Sequence, residues 1–192
     1  MFIKDWKKEV FTIPNMLSLF RLILIPVYVV IYLNASESRD YFIAAGILAV
    51  SCLTDLVDGK IARHFNMISN LGKLLDPIAD KATQFTLTLC LSIKYPVLRF
   101  VLVLFIIKEA FQGIACFLLY RKKKMLSGAL LAGKICTTVL FVSLILLVLM
   151  PELNSAIVTI IACVDLFFLS VSFISYIFAF FGKNPKLEDV EE

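Results

Sequence analysis

The chain has 192 residues, 60% hydrophobic and 18% charged, with a formal net charge of +4 and a mean hydropathy of +0.92. Soluble domains sit near half apolar, so this composition excludes an ordinary soluble globule. It predicts an all-α integral membrane protein with one membrane domain, and no nucleic-acid partner is expected.

No signal peptide is evident. The opening stretch MFIKDWKKEVFTIP mixes Phe2, Ile3, Trp6, Val10 and Phe11 with Lys4, Lys7 and Lys8. That pattern predicts a short amphipathic helix on the membrane surface over residues 1–14, with a solvated tail as the plainer alternative. A spanning helix needs about 20 mostly apolar residues. Six stretches qualify: 16–33, 41–58, 76–95, 97–119, 129–150 and 154–181, the last long enough to tilt or project. Residues 15–182 therefore form the expected membrane domain. The basic run Arg121 to Lys124 separates the fourth and fifth spans, and the acidic end, residues 183–192, reads as a disordered, solvated tail.

Charge sets the orientation. With a cytoplasmic N-terminus, the outer loops hold only Arg39, Lys94 and Arg99. The inner segments hold Lys4, Lys7, Lys8, Lys60, Arg63, Lys73, Lys81, the run Arg121 to Lys124, Lys183 and Lys186. This is a positive-inside bias, and an even number of spans returns the C-terminus to the cytoplasm. A bacterial plasma membrane is the expected location.

Cys52, Cys90, Cys116, Cys136 and Cys163 all lie in apolar stretches with no C-x-x-C pair, and read as reduced apolar fillers. His64 has no second histidine nearby, which disfavours a metal role. Arg21, Lys108 and Lys134 fall inside spans, within a few turns of the cytoplasmic ends. Each is costly in lipid unless it faces a polar cavity. Lys108 also has a plainer reading, pairing near Glu109 or snorkelling.

The segment DLVDGKIARHFNMISNLGKLLDPIAD carries four aspartates. Asp55 and Asp58 are three apart near the inner end of the second span, and Asp76 and Asp80 are four apart at the start of the third. Each pair shares a helix face. Four close anions need compensation. Two divalent cations would supply it, and the hard-oxygen donor set favours Mg²⁺ or Mn²⁺ over zinc. Two such ions form the standard clamp for displacement at phosphorus. Gly59 and Gly72 remove side chains where a nucleotide or phosphate approaches the backbone, although a lone glycine in a membrane helix more often serves packing. Arg63 suits a bidentate phosphate contact.

The spacing D-x2-D-G-x2-A-R-x8-G-x3-D-x3-D, filled by Asp55, Asp58, Gly59, Ala62, Arg63, Gly72, Asp76 and Asp80, resembles the motif of the CDP-alcohol phosphotransferase family at every position. The resemblance extends over most of the chain, because that family has a surface helix followed by six spans. It implies transfer of the phosphatidyl group of CDP-diacylglycerol to an alcohol, with release of CMP. It implies that the four aspartates hold the metal ions, that Asp80 is the general base, and that Gly59, Ala62, Arg63 and Gly72 surround the CDP moiety. Homodimers through membrane helices are common in the family.

IPNMLSLFRLILIP is similar to the first helix of the phosphatidylglycerophosphate synthases, with Asn15, Ser18 and Arg21 on the pattern N-x-x-[ST]-x-x-R. This adds Asn15 and Ser18 to the expected CDP site. LGKLLDPIADK, Lys108–Glu109 and Gly133–Lys134 also look like that subfamily. Arg21, Lys108 and Lys134 become the expected ligands of the acceptor's phosphate, and glycerol 3-phosphate the expected acceptor. Two positions depart: Cys116 stands near where the subfamily carries a second arginine, and Cys136 replaces a lysine. A less charged acceptor, phosphatidylglycerol in cardiolipin synthesis, is the alternative. A membrane prenyltransferase would lack the G-x2-A-R-x8-G insertion. A cation transporter would place its carboxylates near the bilayer midplane, away from Arg63.

Overall fold

The structure, a computed structural model, describes residues 12–64, 70–121, 124–126, 130–181 and 187–189, without the side chains of residues 13–14, 55–64, 70–71, 73–74, 120, 124–126 and 187–189. Six helices follow one another: α1 (Ile13–Leu33), α2 (Ser38–His64), α3 (Asn70–Lys94), α4 (Leu98–Arg121), α5 (Leu131–Leu149) and α6 (Ser155–Phe181). Two three-residue strands, β1 (Lys124–Leu126) and β2 (Leu187–Asp189), complete the described elements.

Among the described residues, four helices are long and apolar enough to cross a membrane, over Asn15–Leu33, Leu98–Leu119, Leu131–Leu149 and Ser155–Phe181. With 21 residues, α1 is about 31 Å long, close to the hydrocarbon thickness of a bilayer. The helices α2 and α3 run into the charged motif, so the six expected spans are six helices of which four have a spanning composition. Large apolar side chains point outward along the spans, with Phe100 and Phe178 each 68% exposed. Such outward hydrocarbon suits lipid as the solvent, and the chain is a membrane protein. The expected surface helix over residues 1–14 lies, through residue 11, outside the described residues.

The chain divides into two compact units. The first holds residues up to Cys90 together with Val148–Pro151; the second holds Leu91–Leu147 and Glu152 onward. In the first unit, α1 and α2 are joined by a four-residue turn that satisfies both helix ends. Asn34 donates from Nδ2 to the Val30 carbonyl at 2.7 Å. The Asp40 carboxylate accepts the backbone N–H groups of Ser36 at 2.9 Å and Glu37 at 3.1 Å. This is the returning half of a capping box, with the acid in the first turn of α2. Those two N–H groups hold the Asp40 carboxyl below the usual carboxylate range. Tyr28 stacks on Tyr32, and Tyr32 meets Tyr41 edge-on at 5.6 Å, pinning α1 to α2 near this turn.

In the second unit, buried residues recur at helical spacing: Leu98, Val101 and Phe105 on α4, Cys136, Leu140, Leu144 and Leu147 on α5, and Val158, Ala162, Leu169 and Tyr176 on α6. Asn154 starts α6 by accepting the Ala156 N–H at its Oδ1, 3.1 Å away. Hydroxyls inside the helices bond their own backbone, as Ser170 does to the Leu166 carbonyl and Thr159 to that of Ser155. The strands pair antiparallel, Lys124 with Asp189 and Leu126 with Leu187. Leu187–Asp189 of the acidic end thus lies beside Lys124–Leu126, where its backbone groups find ladder partners in the link that follows α4, and the rest of the expected tail lies outside the described residues.

Candidate active site

Along α1, Asn15, Ser18 and Arg21 are 1%, 0% and 2% exposed, while Met16 and Ile23 face outward at 50% and 63%. Spacing of three puts the polar trio on one helix face. A helix in lipid inverts the soluble rule: apolar residues face the solvent, and polar ones turn inward to find partners. The partners are on α3. The Ser18 hydroxyl donates to Asp76 Oδ1, and Arg21 Nη1 donates to Asp80 Oδ1. A guanidinium this deeply buried needs a paired anion.

Asp76 and Asp80 are one turn apart on α3, so two adjacent polar residues of α1 each engage one carboxylate. The Asp80 side chain is 48% exposed although its partner is 3% exposed. One end of the pair is thus fixed in the protein and the other remains accessible. Pro77, between the two aspartates, removes a backbone donor from α3 without ending it. Behind them, Ala79 is fully buried and its carbonyl accepts the Thr83 hydroxyl at 2.8 Å. Gly72 is buried in the first turn of α3.

Asp55, Asp58, Gly59, Ala62 and Arg63 lie in the last turns of α2, but their side chains fall outside the described residues. Among the described residues no group of three His, Cys, Asp or Glu side chains forms a metal centre. Asp76 and Asp80 nonetheless supply two hard-oxygen carboxylates on one face, one of them accessible. That donor chemistry fits Mg²⁺ or Mn²⁺.

The second unit holds the other basic residues. Lys108 on α4 is 2% exposed, with Nζ 2.6 Å from Glu109 Oε1 and 5.8 Å from the centre of the Tyr176 ring. Its plainer reading, a pair with Glu109, is what the structure contains. Lys134 on α5 is exposed. Next to it, Gly133 is buried against Tyr176: a Cβ there would lie 2.6 Å from the Tyr176 hydroxyl oxygen. Cys116 is exposed and Cys136 buried. Both of these departures from the subfamily pattern lie near the Tyr176 phenol.

Sequence reasoning missed Tyr176, Gln112 and Asp165. The Gln112 side chain hydrogen-bonds the Tyr176 hydroxyl. Asp165 is 1% exposed in α6, with Ser143 of α5 as its polar neighbour. The available signal was spacing: Asp165, Ser172 and Tyr176 stand seven and four apart on α6, and Lys108 and Gln112 four apart on α4, each set on one face of an apolar helix.

A family model for CDP-alcohol phosphatidyltransferases matches residues 11–174. The chain is 40% identical over 90 residues to a cardiolipin synthase (CMP-forming)/mitochondrial hydrolase fusion protein of Schizosaccharomyces pombe, covering 46% of this chain and 14% of that one. It is 47% identical over 72 residues to a CDP-diacylglycerol–glycerol-3-phosphate 3-phosphatidyltransferase of Escherichia coli, covering 37% and 38%. It is 31% identical over 117 residues to the Rickettsia typhi protein of that same name, covering 60% and 57%. The chain thus spans less than two thirds of the length of the curated relatives it matches. The family model covers most of the chain, including the aspartate motif and its partners on α1, and the protein belongs to the CDP-alcohol phosphatidyltransferase family.

Proposed function

We propose that the protein transfers the phosphatidyl group of CDP-diacylglycerol to glycerol 3-phosphate and releases CMP. The observation that carries this reading is the Arg21–Asp80 pair, which anchors Asp80 from a buried guanidinium and leaves its carboxylate half exposed. Asp80 is the general base. It takes the proton of the acceptor hydroxyl as that oxygen bonds to the phosphorus bearing diacylglycerol and the bond to CMP breaks.

Asp55, Asp58, Asp76 and Asp80 would hold two divalent ions, which when bound supply charge stabilisation at the phosphate oxygens. Ser18 orients Asp76, and Arg21 orients Asp80. Gly59, Ala62, Arg63 and Gly72, with Asn15 and Ser18, surround the CDP moiety. Arg21, Lys108 and Lys134 remain the candidates for the acceptor's phosphate; Arg21 and Lys108 each hold a carboxylate, and Lys134 is exposed. We place both termini in the cytoplasm of a bacterial cell, all six helices in the plasma membrane, and two copies in a homodimer.

Cardiolipin-type transfer to phosphatidylglycerol is the second reading. The neutralised Lys108 and the two cysteines near Tyr176 favour a less charged acceptor. Purified protein in detergent with Mg²⁺ and CDP-diacylglycerol separates the two. CMP release with glycerol 3-phosphate supports the first reading. Release with phosphatidylglycerol alone replaces it by the second, and release with neither glycerol acceptor, or only with serine or inositol phosphate, refutes both.

A further inference from the structure

The link after α4 and the acidic end of the chain meet in the ribbon of β1 and β2, both within the second unit. The α4 span ends at Leu119 and the next begins at Leu131. The link therefore leaves and re-enters the bilayer over residues 120–130 and stays close to the headgroups. Arg121, in the last turn of α4, is exposed, and Lys124 begins β1. The two residues between them in sequence are also lysines. β2 follows the end of α6 after residues 182–186. So short a connection reaches about 20 Å at most and cannot cross a bilayer. The pairing thus sets the C-terminal ends of α4 and α6 on one side of the membrane.

The register places complementary residues opposite each other. Lys124 stands opposite Asp189 and Leu126 opposite Leu187. An opposite-charge pair and an apolar pair are both favourable cross-strand neighbours. In sequence, four bases follow Tyr120 and four acids, Glu188, Asp189, Glu191 and Glu192, follow Leu187. The ribbon is also weak, with two strands of three residues each. An isolated two-stranded ribbon is marginal in water, and exposed ion pairs contribute little.

An anionic bilayer acts with opposite sign on the two strands. Within a Debye length of about 10 Å it attracts each base and repels each acid. Both effects open the ribbon. A basic run beside a span is by itself only an orientation signal; the acidic strand set against it makes a competition.

We propose that Arg121, Lys124 and the lysines between them are a contact site for anionic phospholipid headgroups, and that the acidic strand β2 occupies this site in their absence. The acidic end thereby sets how much anionic lipid the surface must hold before the link engages it. By linkage, the factor by which the acidic strand weakens lipid binding is the factor by which lipid weakens the strand pairing. The proposal needs the membrane location and the ribbon, and does not depend on the transfer reaction.

Its test is hydrogen exchange of the full chain in lipid nanodiscs, either of phosphatidylcholine alone or with about one-third phosphatidylserine. In phosphatidylcholine the amides of Leu187–Asp189 are protected, and phosphatidylserine speeds their exchange by about fivefold or more while α6 is unaffected. Glu188→Gln with Asp189→Asn exchanges fast in both discs. Native mass spectrometry in detergent with added phosphatidylserine reads the reciprocal effect: that variant binds the lipid about fivefold or more tightly than the wild type. Adding Arg121→Gln and Lys124→Gln abolishes the gain. Equal exchange of the wild type in the two discs, or no protection in phosphatidylcholine, overturns the proposal. So does opening by inorganic phosphate in phosphatidylcholine discs to the same extent, which would assign the bases to a free anion in place of a lipid surface.

Discussion

Arg21 and Asp80 lie 59 residues apart in sequence and form an ion pair between α1 and α3. The arginine is buried and the aspartate half exposed. The pair fixes one oxygen of the proposed base and leaves the carboxylate open to a substrate. Arg21→Ala strands this position twice, removing the anchor of Asp80 and a buried cation. We expect a fall in kcat of about 10- to 100-fold with a smaller change in KM. Because the arginine is buried and Asp80 half exposed, the stability cost is expected to be about 1–3 kcal/mol. CMP-release kinetics beside thermal unfolding in detergent separate the two effects.

Ser18 acts on Asp76 as Arg21 acts on Asp80. If Asp76 holds a divalent ion, its hydrogen-bond partner tunes that affinity. Ser18→Ala is expected to raise the Mg²⁺ concentration for half-maximal activity by about 10-fold, and at most about 100-fold. A Mg²⁺ titration of CMP release reads this directly. An unchanged midpoint would remove Ser18 from the metal site.

Gly133 tests packing independently of chemistry. A Cβ there meets the Tyr176 hydroxyl oxygen at 2.6 Å and ring carbons at 3.1 and 3.2 Å. Gly133→Ala is expected to destabilise the protein by about 1–3 kcal/mol. In a Tyr176→Phe background the nearest clashing atom is gone and the cost should shrink. Thermal unfolding of the four proteins in the double-mutant cycle gives the coupling.

Asp40 predicts a pH dependence. Its carboxyl is held below the usual range by two backbone N–H groups, so the folded state favours the ionised form. The resulting stabilisation is present above the ordinary carboxylate range and is lost as pH falls through the depressed value. The stability difference between wild type and Asp40→Ala should therefore be largest near neutral pH. It should vanish in acid, as read by unfolding in detergent across pH.

The legibility of the sequence followed its physics. Hydropathy located α4, α5 and α6 to within two residues, because an apolar helix and a lipid span there have the same limits. It stopped short on α2 and α3, whose helices run six residues beyond the expected spans, to His64 and back to Asn70, through the charged motif. Helicity continues where hydrophobicity ends. The spacing of Asn15, Ser18 and Arg21 carried the polar face of α1 without revealing which aspartate each residue meets.

Tyr176 stayed hidden for a different reason. In SFISYIFAFF an aromatic residue reads as lipid-facing, and only the vacancy at Gly133 distinguishes it. The pairing of β1 with β2 was invisible as well, since three residues are too few for alternation to register.

The central claim is that Asp80 serves as the base of a CDP-diacylglycerol-dependent transferase. Its most direct test is CMP release from CDP-diacylglycerol by purified wild type and Asp80→Asn, with Mg²⁺ and glycerol 3-phosphate, alongside donor binding. The account predicts release by the wild type, abolished in Asp80→Asn and by chelation of Mg²⁺, with donor binding by the variant largely retained. Undiminished release by Asp80→Asn would contradict it.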